Sequence, residues 1–143
     1  MERLLVGIDD SECADRAVEV AARQARDGNA KLLVCYVIAW SPFTFSTPEE
    51  NAQRHRRREE ELEIARRKIL EPRISELRGS GLQVEGFARH GHAARTLLQL
   101  AKEHEADMIV VGRAGDNPLK SKIFGGTAGA LVQSSPIPVL VVP

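Results

Sequence analysis

The sequence predicts an α/β fold, Rossmann-like: a doubly wound, five-stranded parallel sheet with helices on both faces. Three observations carry this. Four short runs are apolar on both faces, as strands covered from above and below must be. Small and apolar residues repeat at helical spacing between strands. The order β-α-β-(loop, α)-β-α-β-α-β alternates along the chain, which places neighbouring strands parallel.

The first strand is "RLLVGI", Arg3–Ile8, and the second is "KLLVCYVI", Lys31–Ile38. Between them Ala14, Ala17, Val18, Ala21 and Ala25 form one helical face, with Arg16, Glu19 and Arg23 opposite. Ser11 is the expected N-cap, and Gly28 the expected stop. "WSPFTFSTP", Trp40–Pro48, is aromatic and Pro-rich and reads as a mobile loop. A long charged helix runs from Asn51 to Gly79, kinked or broken at Pro72. Its mixed charges read as a solvated face with i,i+4 pairs. "LQVEGFA", Leu82–Ala88, alternates and reads as an edge strand. His92 is expected to start the next helix, on which Ala94, Leu97, Leu98 and Ala101 recur, and His90 and His92 are expected at the surface. "DMIVVG", Asp107–Gly112, and "PVLVV", Pro138–Val142, complete the sheet.

With 143 residues, the chain is read as a single domain, 1–143, large enough to bury a core. Hydrophobic residues are 43%, charged residues 28%, and the formal net charge is zero. That balance argues against nucleic acid or an anionic membrane as partner. Cys13 and Cys35 have no metal-type spacing, and a disulfide scaffold is not expected. Cys35, in an apolar strand, reads as a small core residue. The start "MERLLVGIDD" lacks the long apolar region of a signal peptide. No apolar run nears the roughly 20 residues that span a bilayer. A cytoplasmic location is the expectation.

The chemistry concentrates at the carboxyl ends of the strands, where open α/β sheets bind ligands. The first strand ends in "GIDDSE", which puts Asp9 at the rim. The fourth runs into "GRAGDNPLKSKIFGGT", Gly112–Thr127. Gly112 and Gly115 allow backbone to approach a ligand, or merely end a strand. Gly125, Gly126 and Thr127 lie where the last helix should begin, and unpaired helix-start N–H groups suit phosphate oxygens. The same two glycines also fit close helix–sheet packing. Asp9 repels phosphate but accepts from ribose hydroxyls, unless it caps the first helix. Neither "GxxxxGK[ST]" nor "GxGxxG" is present, so a Walker loop and a dinucleotide fingerprint are excluded. Lys120 and Lys122 read as solvent-exposed, and no metal site is expected.

The stretches "LLVGIDDSECADRAVEVAA", "ARHGHAARTLLQLAKEHEADMIVVGRAG" and "SSPIPVLVVP" resemble the universal stress protein family over nearly the whole chain. Nucleotide-binding members carry Gly, two residues, Gly, nine residues, then Gly followed by Ser or Thr. Gly112, Gly115 and Gly125 match that spacing. Gly126 stands where Ser or Thr is usual, with the hydroxyl one residue later at Thr127. The resemblance implies a fold like that of the adenine nucleotide alpha hydrolases and a bound adenine nucleotide, ATP, with Mg2+ held through its phosphates. The base would meet backbone at Val37, the ribose Asp9 and Gly112, and the phosphates Gly115, Asn117 and Gly125–Ala128. Gly7 would floor the pocket, and Arg113 belongs to the same set. The implied role is a stress-response signalling module that reports nucleotide occupancy. A nucleotide-free dimeric interaction module and a slow ATPase are the alternatives. The resemblance also implies a homodimer, and the apolar last strand suits edge pairing.

Overall fold

The computed structural model describes residues 2–9, 12–39, 47–114 and 125–143. Strand β1 is Arg3–Ile8, β2 Lys31–Ala39, β3 Val84–Gly91, β4 Met108–Gly112 and β5 Val139–Val142. They form one parallel sheet in the order β3-β2-β1-β4-β5. The chain builds outward from β1 to β3, then returns to the other side of β1 for β4 and β5. The order therefore reverses between β1 and β4, and β3 and β5 are the edges.

Side-chain alternation divides the core into two layers. Leu4, Val6 and Ile8 of β1 face one cluster, which includes Ala14, Ala17 and Ala21 of helix α1, Glu12–Gly28. Leu5 faces the other, with Leu97 and Leu100 of α4, Ala93–Glu103, and Leu131 of α5, Gly126–Ser134. The layer beside α1 also holds Ala65 of α2, Pro48–Ala65, and Leu77 of α3, Glu71–Gly79. Val34, Val110 and Leu33, Ile109 continue the two sides of the sheet. These strands read as unbroken apolar runs because both of their faces are covered.

Turn chemistry sets where helices end. Three of them return to the sheet through the same device: a residue at positive φ followed by a buried apolar residue whose N–H reaches back to the last helical turn. The bonds are Ala30 to Ala25 at 2.8 Å, Leu82 to Leu77 at 3.4 Å and Ala106 to Ala101 at 2.8 Å. The left-handed positions are Asn29 (φ 52), Gly81 (φ 93) and Glu105 (φ 54). α1 ends at Gly28, as expected, and Asn29 makes the left-handed turn that follows.

The long charged helix begins earlier than its periodicity suggests. Thr47 and Glu50 form a reciprocal capping box, with Glu50 N–H to Thr47 Oγ1 at 3.1 Å and Thr47 N–H to Glu50 Oε2 at 3.2 Å. Pro48 follows as a favoured first-turn proline. Thr47 and Pro48 therefore belong to the helix, while Trp40–Ser46 of the expected loop lie outside the described residues. The break expected at Pro72 takes the form of a π-helical turn, Arg66–Leu70, immediately before α3. Pro72 has no N–H to donate, and the widened turn relieves its ring against the preceding carbonyls. Leu62, Ile69, Leu70 and Ile74 all still reach the same core layer.

Smaller boundaries also move. β2 extends to Ala39 and β3 covers Val84–Gly91. Asp107 precedes β4, its Oδ2 accepting from the N–H groups of Glu2 at 2.7 Å and Arg3 at 3.0 Å. The bonds from Arg3 and Glu2 hold its carboxyl below the usual range. Pro138 lies just before β5, where its carbonyl accepts from Ile109 at 3.0 Å. Ser11 lies outside the described residues.

Candidate functional site

A hollow opens between the carboxyl ends of β1 and β4, at the reversal of strand order. Its walls include Gly7, Asp9, Val37, Gly112, Arg113, Gly125, Gly126, Thr127 and Ala128. The sequence nominated all nine. Its other two nominees, Gly115 and Asn117, lie outside the described residues, as do Lys120 and Lys122. The hollow has a volume of about 110 Å³. Clefts for small ligands usually hold roughly 300–1000 Å³. A nucleotide seated here would thus project beyond the hollow toward the rim.

The lining combines polar positions with apolar ones. Leu97, Val111, Ala93 and Ala114 line it as well, and polarity patterns did not single them out. The available signal was their place: Val111 lies next to the end of a buried strand, and Ala93 opens the helix behind His92. Cys35 lies beside Gly7 in the paired strands and is fully buried. Burial pushes its thiol up to about 12, outweighing the opposing pull of Arg89. It is a neutral core residue, as its apolar strand suggested.

The glycines separate by task. A Cβ on Gly112 would lie 2.7 Å from Cys13 Cβ and 3.0 Å from the Cys13 carbonyl carbon. Its missing side chain therefore makes room for the start of α1, a packing task beside its place on the wall of the hollow. A Cβ on Gly7 would lie 2.7 Å from Leu97 Cδ1, so this glycine lets α4 rest on β1. Gly126 differs: a Cβ there meets nothing within 4 Å. Close packing does not explain it.

Helix α5 presents its N-terminus to the hollow. Gly125 is the N-cap, at φ −63 and ψ 166, and no side chain caps the first turn. The Gly125 N–H donates to Arg113 O at 2.7 Å. That amide is engaged, which corrects its expected place in a phosphate cradle. Gly125 O accepts the first helical bond, from Gly129 at 3.0 Å. The N–H groups of Gly126, Thr127 and Ala128 come before that bond and have no acceptor within the helix. They supply the positive end of the helix dipole at the hollow.

Arg113 is the other electropositive element. Its N–H donates to Val142 O at 2.7 Å, and its carbonyl takes the Gly125 bond. The residue is thereby pinned between β5 and α5. Its side-chain Nε is buried without a hydrogen-bond partner among the described residues. A buried guanidinium N–H left unpaired carries a desolvation penalty, which an anion or carbonyl would relieve.

The histidines after β3 part company. His92 caps α4, with its Nδ1 3.5 Å from the Arg95 backbone nitrogen. His90 is only partly at the surface, which corrects its expected exposure: its side chain is 14% exposed, and its Nε2 lies 3.1 Å from Arg58 O and 3.6 Å from Glu61 Oε2. Among the described residues, no group of three or more His, Cys, Asp or Glu could hold a metal ion. No helix there is long and apolar enough to cross a membrane.

The model of the universal stress protein family matches residues 1–143. The chain belongs to that family. A Bacillus subtilis universal stress protein is 30% identical over 147 residues, covering 98% of this chain and 97% of the relative. The chain spans only 47% of several mycobacterial universal stress proteins. Among solved structures, Lactobacillus plantarum UspA superposes with a TM-score of 0.84 at 26% identity, covering 99% of this chain and 97% of that one. A universal stress protein solved in complex with cAMP gives a TM-score of 0.66 at 25% identity, covering 99% and 95%. The five-stranded parallel sheet is thus that of the family, and some of its members bind nucleotides.

Proposed function

We propose that the hollow between β1 and β4 binds an adenine nucleotide, ATP first among them, and that occupancy is a signal in a stress response. The observation that carries this reading is the first turn of α5, which no side chain caps and whose Gly126, Thr127 and Ala128 line the hollow together with Arg113. The amides offer N–H donors at the partly positive end of the helix dipole, and Arg113 adds a full positive charge on the same wall. Phosphate oxygens satisfy such groups. The relative solved with cAMP supports the choice of adenine nucleotide.

In this reading the base lies near Val37, and the ribose near Asp9 and Gly112. The phosphates meet the amides of Gly126, Thr127 and Ala128, Arg113, and the Gly115 and Asn117 positions. Gly125 serves by closing the Arg113 loop. Thr127 adds a hydroxyl in place of the one that Gly126 lacks. Mg2+ would ride on the phosphates. Occupancy becomes a signal only if the ligand favours one arrangement of its surroundings over another.

Calorimetric titration with ATP tests this. Arg113→Ala should weaken binding about tenfold to hundredfold, the worth of a charged hydrogen bond. No heat and no thermal shift at millimolar ATP with the intact chain would dismiss the proposal. Pairing of two copies through β5 is a companion reading, supported by its position at the sheet edge and by the part exposure of Val139, Leu140 and Val141.

A further inference from the structure

Helix α2 is almost wholly exposed, with Ala65 its one buried residue. It packs over β3, at the edge of the sheet opposite β5. Its inward side carries Leu62 and Ala65, with Arg58 half-buried on the same side. Glu49, Ala52, Gln53, Arg56, Glu60, Glu63, Ile64 and Arg67 are exposed and lie on the outward side, extending into the π-helical turn. Ile64 is 44% exposed there, one of two large hydrophobic side chains exposed to that degree among the described residues.

The order of these outward residues is not random. Charges run from basic to acidic across the middle of the helix, "RHRRREEELE" at 54–63. Set a second copy antiparallel on this face, with the two-fold axis level with Arg58. Arg56 then meets Glu60, Glu49 meets Arg67, Gln53 meets Glu63, and Ala52 meets Ile64. By symmetry each contact occurs twice. Sliding one helix by a turn destroys the match. One direction puts Glu60 on Glu60, and the other puts Arg56 on Arg56. Parallel pairing sets like on like throughout. One orientation and one register therefore satisfy this face.

We propose that the outward face of α2 is a self-recognition surface, which pairs antiparallel with α2 of a second copy of this chain. Complementary charge gives register and direction, and the Ala52–Ile64 contacts supply apolar burial. The internal Glu63–Arg67 pair, 3.8 Å apart, competes only weakly, since both residues are well exposed. The surface is separate from both the hollow and the β5 edge.

Sedimentation velocity of the full chain, at low and high salt, reads the association. The wild-type protein should show a salt-weakened association step. Arg56→Glu and Glu60→Arg should each weaken it about tenfold or more, because two contacts turn repulsive. Mixed in equal amounts, the two variants should associate at least as well as wild type. In the mixed pair, positions 56 and 60 carry two acids on one copy and two bases on the other, so both contacts become attractive again. An effect confined to each helix cannot be rescued by mixing. Circular dichroism of each variant confirms that α2 remains helical. Absence of a salt-sensitive step in the wild type, single variants that associate normally, or a mixture no better than its components would each overturn the proposal.

Discussion

Gly112 and Gly126 both border the hollow, yet their missing side chains answer to different neighbours. Gly112 faces the backbone of Cys13, which cannot swing aside as a side-chain tip can. Gly112→Ala should therefore cost about 1–3 kcal/mol in urea unfolding, the range for overpacking. Gly126→Ala enters open space at an ordinary helical position and should stay within about 0.5 kcal/mol of wild type. If the two substitutions cost the same, the packing task assigned to Gly112 and denied to Gly126 is wrong. In the sequence these residues look alike. Spacing identifies glycines, but only the approach of α1 decides what a given glycine makes room for. Arg113 teaches the same point from the other direction. Its place after β4 was readable, whereas its orphaned Nε depends on which carbonyls the folded chain brings near.

At the scale of elements, the helix-to-strand turns hold avoidable strain. Glu105 holds φ 54 without the freedom of glycine, at a penalty of roughly 1–2 kcal/mol. Its ion pair with Arg3, 3.3 Å long, is exposed and offsets little of this. Glu105→Gly should raise stability by about 0.5 kcal/mol after the added flexibility of the unfolded chain is counted. An unchanged or lowered urea midpoint, at constant slope, would contradict this. Element type was legible because apolar runs and helical repeats record burial directly. Element ends were less so. The Thr47–Glu50 capping box was present in "TPEE" but hidden by a Pro-rich, aromatic neighbourhood. The π-helical turn has no sequence signature beyond the proline that follows it.

For the whole molecule, β5 is the last strand on one side of the sheet among the described residues. If that edge pairs with its counterpart, light scattering should give a dimer at micromolar concentration. Val139→Lys, a charge on a partly exposed edge position, should give a monomer with its circular dichroism intact. A monomeric wild type would remove this reading while leaving the nucleotide proposal standing. An α2 contact at the other edge would add a second, salt-sensitive step.

Local pattern was enough for the parallel α/β architecture and for the rim positions Asp9, Gly112, Gly125, Gly126 and Thr127, because burial and strand-end glycines leave marks along the chain, while resemblance to the family added Gly7, Val37, Arg113 and Ala128. Folding alone settled that Gly125 commits its amide to Arg113, that Gly112 yields to α1 and that His90 lies beneath α2. Each of those facts is a meeting of segments distant along the chain, and no local pattern encodes who meets whom.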